Sequence, residues 1–300
     1  MDFAFFKLVR LKTTKKVTKM QAIKDFEKKN EYLICIDSDG TAIDAMNVKH
    51  NRCHGPSFIE EWGLEGHQEE IQYKWNKINL YNSTRGVNRY IALLEILEEI
   101  NGEYLSLSDG ELGSLRKWVI NTGDLSNNGL KKEIEKNDSP ILKKAYNWSI
   151  NINKKISELT PEDKKPFPGV INCLEYAHGK VDIAVVSSSN MDAIQKEWGH
   201  YDMLKYLDVM TSQEVGTKGE CIAEMIKKGY KPENVLMIGD ALPDVDAAKE
   251  NKTFFYPILT GHEEKSWLDL EQIYLNEFTS GKFGEHQGLL MEKFNNNFGQ

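Results

Sequence analysis

A chain of 300 residues, 40% hydrophobic and 28% charged, has the length for about two domains, each with its own core. It contains no run of about 18 apolar residues, so no membrane span or membrane partner is expected. Its four cysteines lack CxxC spacing, which excludes a disulfide-stapled or zinc-ribbon fold. The net charge of −8 conceals six Lys/Arg against one Asp in residues 1–20, leaving −13 for the rest; no nucleic acid partner is expected for the main body.

Residues 1–30 read as a basic leader followed by a first helix. The leader lacks the apolar core and cleavage site of a secretory signal, so a solvated tail is expected, with Met20 as an alternative start. A cytoplasmic protein, monomer or homodimer, with Cys35, Cys53, Cys173 and Cys221 reduced and mostly buried, is the corresponding expectation. Apolar runs at 32–36, 181–189, 207–212, 234–240 and 253–258 are short and continuous, the pattern of strands covered on both faces. Helical stretches at 191–198, 218–228 and 243–251 separate the last four, so the chain reads as α/β with a parallel sheet.

Residues 46–165 read as a helical insertion. One helix over 87–100 places Val87, Tyr90, Ile91, Leu94 and Leu97 on a face; a second, opening at Ser139-Pro140, aligns Ile141, Ala145, Trp148, Ile152, Ile156 and Leu159. Ser108 and Glu111 fit a capping box. The Pro-rich stretch 160–170 is the expected return hinge. The main core is then 31–45 plus 166–265. Residues 266–300 read as two amphipathic helices packed on it, through Trp267, Leu270, Tyr274 and Phe278, then Leu290, Phe294 and Phe298.

The polar groups with chemical potential stand at strand ends. Asp37-Ser38-Asp39-Gly40-Thr41 closes the first strand, and two carboxylates aimed at one pocket repel unless a cation joins them or one holds a proton. Asp240 and Asp244 end another strand, with Asp246 facing solvent. Ser187, Ser188 and Ser189 end a third, and Lys218 opens a helix where an ammonium can neutralise carboxylates and hold a phosphate. Taken singly, an acidic first turn, a serine run and a lysine are ordinary surface features.

Together, in this order, they resemble the four motifs of the haloacid dehalogenase superfamily: Asp37, Asp39 and Thr41; Ser187; Lys218; then Gly239, Asp240 and Asp244. Ala42 and Ala241 depart from common residues of those motifs without removing a reacting group. The resemblance implies a Rossmann-like parallel sheet core with a separate α-helical cap, formed by 46–165. It implies an Mg2+-dependent phosphohydrolase acting on a small-molecule phosphate ester through an aspartyl phosphate. Asp37 would be the nucleophile, and Asp39, with a raised pKa, the proton donor and acceptor. Asp37, the Asp39 carbonyl, Asp240 and Asp244 would make the metal site, while Ser187, with Ser188 as the neighbouring choice of register, and Lys218 would bind the phosphoryl group. Because Asp39 is present, dehalogenation is disfavoured. Lys49, His50, Arg52 and His54 are candidates to overhang the site, and Arg85 and Arg89 to grip a substrate anion. A phosphomutase is one alternative. A phosphonate-cleaving relative, using Lys49 for a Schiff base, is another, and a non-catalytic metal or phosphate-binding module is a third.

Overall fold

The computed structural model describes residues 21–82 and 84–297; the basic leader and Phe298 lie outside the described residues. Five strands, β1 (Leu33–Ile36), β2 (Asp182–Val186), β3 (Val209–Thr211), β4 (Val235–Gly239) and β5 (Phe254–Pro257), form one sheet in the order β3-β2-β1-β4-β5. Every pairing is parallel. Each strand falls inside an apolar run read from the sequence. Successive side chains alternate between two buried layers, because the strand period is two. Ile34, Ile36, Val185 and Ile238 join one layer, with Trp198 and Trp267. Leu33, Cys35, Val186 and Met237 join the other, with Met225 and Phe294. The fold is α/β, as expected.

The chain runs outward from β1 to β2 and β3, then returns to the other side of β1 for β4 and β5. A crevice opens where the crossovers part, beyond the carboxyl ends of β1 and β4. Asp37 and Asp240 are the residues that follow those two ends, and the Asp37 N–H donates to the carbonyl of Ile238 at 3.0 Å.

After α1 (Gln21–Asp25), the inserted helices are α2 (Met46–Lys49), α3 (Gly55–Trp62), α4 (Gln68–Leu80), α5 (Arg89–Ile100), α6 (Asp109–Asn121), α7 (Asn127–Lys136) and α8 (Pro140–Glu158). A π-helical turn, His50–His54, joins α2 to α3. These helices enclose an apolar cluster of their own around Phe58, Trp75, Tyr90, Trp118 and Trp148. Each ring of that size contributes roughly 3 kcal/mol through burial, which is why the insertion has a core without help from the sheet. The capping box of Ser108 and Glu111 forms. Two expectations fail: Ile91 is 38% exposed because α5 turns Leu93 and Ile96 inward instead, and Ser139 precedes α8 without a side-chain cap bond.

The two connections between insertion and core are bonded to each other. Asp44 N–H donates to Lys165 O at 2.7 Å, and Phe167 N–H to Ala42 O at 3.0 Å. The remaining helices are α9 (Val170–Ala177), α10 (Met191–His200), α11 (Lys218–Ile226), α12 (Leu242–Asn251), α13 (Glu263–Asp269), α14 (Leu275–Thr279) and α15 (Gln287–Asn297). Trp267, Leu270, Phe278, Leu290 and Phe294 are buried against the sheet layers. All four cysteines are buried and free. No helix of the described residues is long and apolar enough to cross a membrane.

Candidate active site

The loop after β1 is tight. Ser38 O accepts from Ala42 N–H at 2.9 Å and from Ile43 N–H at 2.8 Å, and Gly40 turns at φ +84°. A side chain at position 40 would be strained, and its Cβ would sit 2.5 Å from Asp240 Oδ2 and 2.7 Å from an Arg85 nitrogen. Glycine here lets the backbone approach the carboxylate. Two distant tryptophans brace the same loop: Trp198 Nε1–H donates to Ser38 Oγ at 3.0 Å, and Trp267 Nε1–H to Thr41 O at 2.9 Å.

One carboxylate oxygen from each of Asp37, Asp240 and Asp244 lies within 4.8 Å of the others, and all three residues are buried. Lys218 Nζ bridges two of them, 3.0 Å from Asp37 Oδ1 and 2.5 Å from Asp244 Oδ1. Its position follows from the capping box of Thr217 and Glu220, which starts α11 at Lys218. Asp240 Oδ1 accepts from Thr41 Oγ1 at 2.5 Å, and Asp244 Oδ2 from Ala241 N–H at 3.1 Å. Burial pushes the Asp37 carboxyl well above the usual range; Lys218 opposes this, while Asp244 and Asp240 add to it. Burial alone would lower Lys218, but Asp244 and Asp37 outweigh it and hold the ammonium charged. Three carboxylates around one point, with only Lys218 shared between two of them, form an oxygen-only donor set that suits Mg2+.

Asp39 departs from expectation. Its side chain turns to Lys49 Nζ at 2.5 Å and Ser189 Oγ at 2.8 Å, away from the three clustered carboxylates. As a metal ligand it therefore has its backbone carbonyl to offer and not its carboxylate. Burial would raise its pKa, but Lys49 and the Ser189 hydroxyl win, and the carboxyl lies below the usual range. The two acids thus shift in the directions opposite to those expected, Asp37 upward and Asp39 downward. Asp39 Oδ1 is buried with no hydrogen-bond partner among the described residues.

The serine run is divided. Ser187 is buried and its Oγ accepts from Ser189 N–H at 3.1 Å. Ser188, a candidate for substrate binding, is exposed, and Ser189 takes the place beside Asp39. Strand alternation was the available signal: residues 187 and 189 share a face, and 188 does not.

The insertion meets this site directly. Arg85, expected to grip a substrate anion, is 3% exposed and instead binds Asp240 Oδ2 through Nε at 2.6 Å and Leu80 O through Nη1 at 3.2 Å. Lys49 is buried on Asp39. His50 and His54 stack with centroids 4.6 Å apart, and His50 Nδ1 accepts from Trp75 Nε1–H at 3.0 Å, so that imidazole is neutral. Arg52 pairs with Asp163 at the hinge and does not reach the site. Arg89 ties α5 to Ser149 and Asn153 of α8. Asp246 is exposed.

Residues 119–256 match the sequence profile described as haloacid dehalogenase-like hydrolase. Among solved structures, the chain is similar to a hydrolase from Pseudomonas syringae at 16% identity, covering 82% of this chain and 98% of that one, with a TM-score of 0.49. It is also similar to a haloacid dehalogenase-like family hydrolase from Streptococcus pneumoniae at 15% identity, covering 79% and 90%, with a TM-score of 0.44. No curated protein matches the chain. The matched segment contains Ser187, Lys218, Asp240 and Asp244, and Asp37–Thr41 follows the adjoining strand, so the part of the chain that resembles the haloacid dehalogenase-like hydrolases carries four of the site's polar groups and packs beside the others.

Proposed function

We propose that the protein is an Mg2+-dependent phosphohydrolase for a small phosphorylated metabolite. The observation that carries this reading is Lys218 held between Asp37 and Asp244 with Asp240 alongside, at the sheet's switch point. Asp37, Asp240 and the Asp39 carbonyl would hold Mg2+, which supplies positive charge to the phosphoryl oxygens. Asp37 attacks phosphorus through a carboxylate oxygen, the phosphorus–oxygen bond to the leaving group breaks, and an aspartyl phosphate forms. Lys218 and Ser187 hold the transferring oxygens. Asp39 gives a proton to the departing oxygen, then takes one from the water that hydrolyses the aspartyl phosphate.

In the closed state Lys49 keeps Asp39 ionised, the form needed for that second half. Donation in the first half requires this ion pair to loosen as the cap parts. Parting is also required for access, since Asp37, Asp240 and Asp244 are all buried. The Schiff-base alternative fares worse: burial would lower the Lys49 pKa, but Asp39 and Glu197 raise it, so the amine is an ammonium and not a nucleophile.

The test is hydrolysis of an aryl phosphate with Mg2+ and its loss in EDTA. Binding of metal and inorganic phosphate without turnover across a broad ester panel would instead favour the non-catalytic module.

A further inference from the structure

Four of the cations between cap and core have a carboxylate partner. Lys218 has Asp37 and Asp244, Arg85 has Asp240, Lys49 has Asp39, and Lys164 has Glu197 at 2.7 Å. Arg89 has none among the described residues. Its Nη1 donates to neutral acceptors, Asn153 Oδ1 at 2.8 Å, Ser149 Oγ at 3.1 Å and Ser149 O at 3.4 Å. Nε and Nη2 have no hydrogen-bond partner among the described residues. A half-buried guanidinium without a counter-charge is costly to retain unless something anionic arrives.

Its surroundings point to the active site. Arg85, four residues earlier, reaches Asp240, and Gly86 lies so close to Ala241 that an added Cβ would be 2.8 Å from the alanine Cβ. On the other side, the Arg89 charge acts on Lys49, which holds Asp39, and on His50 and His54. His54 is 9% exposed, and its Nδ1 is buried without a hydrogen-bond partner. The strap 85–89 and the π-helical turn with its preceding Lys49 are thus the cap segments tied to the site, through Arg85 on Asp240 and Lys49 on Asp39, and they carry one surplus positive charge and one imidazole nitrogen without a hydrogen bond.

We infer that the substrate carries a second anionic group, a carboxylate or a second phosphate, bound by Arg89 through Nε and Nη2 with His54 Nδ1 beside it. This rests on the phosphohydrolase reading and names its substrate class. A guanidinium suits either anion by the same two-pronged hydrogen bonding. Ser149 and Asn153 hold the fork in place from behind.

The experiment uses three esters of equal chain length, ending in a hydroxyl, a carboxylate or a second phosphate, assayed with the Mg2+-loaded protein. In parallel, binding of the matching non-hydrolysable phosphonates is measured by calorimetry, so preference is read even without turnover. At least one anionic tail is expected to be favoured over the hydroxyl tail by about tenfold to a hundredfold in both readouts. The larger gain identifies carboxylate or phosphate. Arg89→Gln should collapse the ratio, and Arg89→Lys should restore part of it. Asn153→Asp, at an exposed position, should collapse it too by giving Arg89 a carboxylate in place. Absence of any preference in both readouts, or a preference that survives Arg89→Gln and Asn153→Asp, overturns the inference. Failure of every ester with the binding preference intact overturns the phosphohydrolase reading alone.

Discussion

The core and the cap solve the problem of buried charge differently. In the core, acids are brought together by adjacent parallel strands and balanced by Lys218 from a helix start. In the cap, aromatic rings fill the centre, and the charged groups that reach the site, Lys49 and Arg85, are cations. Each half is electrostatically incomplete without the other: Arg85 and Lys49 answer Asp240 and Asp39 across the junction. The junction is thus charge-matched as well as packed, and under the proposed function the core should decide whether chemistry occurs while the cap decides on what.

The strongest way to break that comparison is Asp37→Asn. Turnover of every ester, whatever its tail, should fall to about one ten-thousandth or less, measured with saturating Mg2+. Residual activity on some esters and not others would move selection into the core.

Next in size is Trp148→Ala. Trp148 is fully buried in the cap, and its Nε1–H donates to His54 O at 3.3 Å. The change should cost about 3–5 kcal/mol and unfold the cap first, leaving a second transition for the sheet in chemical denaturation. A single shifted transition would show one cooperative unit.

Acid should act on the cap as well. Burial lowers the His50 pKa from 6.5 to about 3, with Arg85 and Lys49 adding to it. Between those values the unfolded chain binds the proton and the folded one does not, so stability rises with pH across the window. It is complete above about pH 6.5, falls on acidification and levels off below about pH 3, a loss of a few kcal/mol in all. His50→Phe should flatten that slope in fluorescence-monitored melts.

A smaller effect is expected at the junction. Arg85→Met frees Asp240 Oδ2, and Mn2+ affinity of the metal-free protein, read by electron paramagnetic resonance, should rise about tenfold. Weaker binding would mean that Arg85 orders the carboxylate and does not compete for it. Asp246→Asn should change neither activity nor stability beyond about 0.5 kcal/mol, because this acid faces solvent.

Much of the core was legible in order along the chain. Strand runs and the spacing of Asp37, Ser187, Lys218 and Asp240 reflect local constraints: a strand end, a turn and a helix start recur wherever backbone geometry demands them. Register was legible too, yet Ser189 was overlooked in favour of Ser188. The supports were not legible. Trp198 and Trp267 reach Ser38 and Thr41 from 160 and 226 residues away, and apolar periodicity assigns them only to a core. Ile91 fits one helical face as well as Leu93 fits another, and packing against α4 and α6 chose between them.

The sequence by itself determined that two aspartates would close a buried strand, that a lysine would open a helix nearby, and that a helical insertion would interrupt them. These follow from period, capping and composition. The state of the two acids was decided by tertiary structure alone. Burial raises Asp37, with Asp244 and Asp240 from beyond β4 adding to it, while Lys49 of the insertion and Ser189 beyond β2 hold Asp39 low. Short-range Coulomb interactions and burial depend on that assembly, so the ordering of Asp37 and Asp39 could be derived from position in space and not from position in the chain.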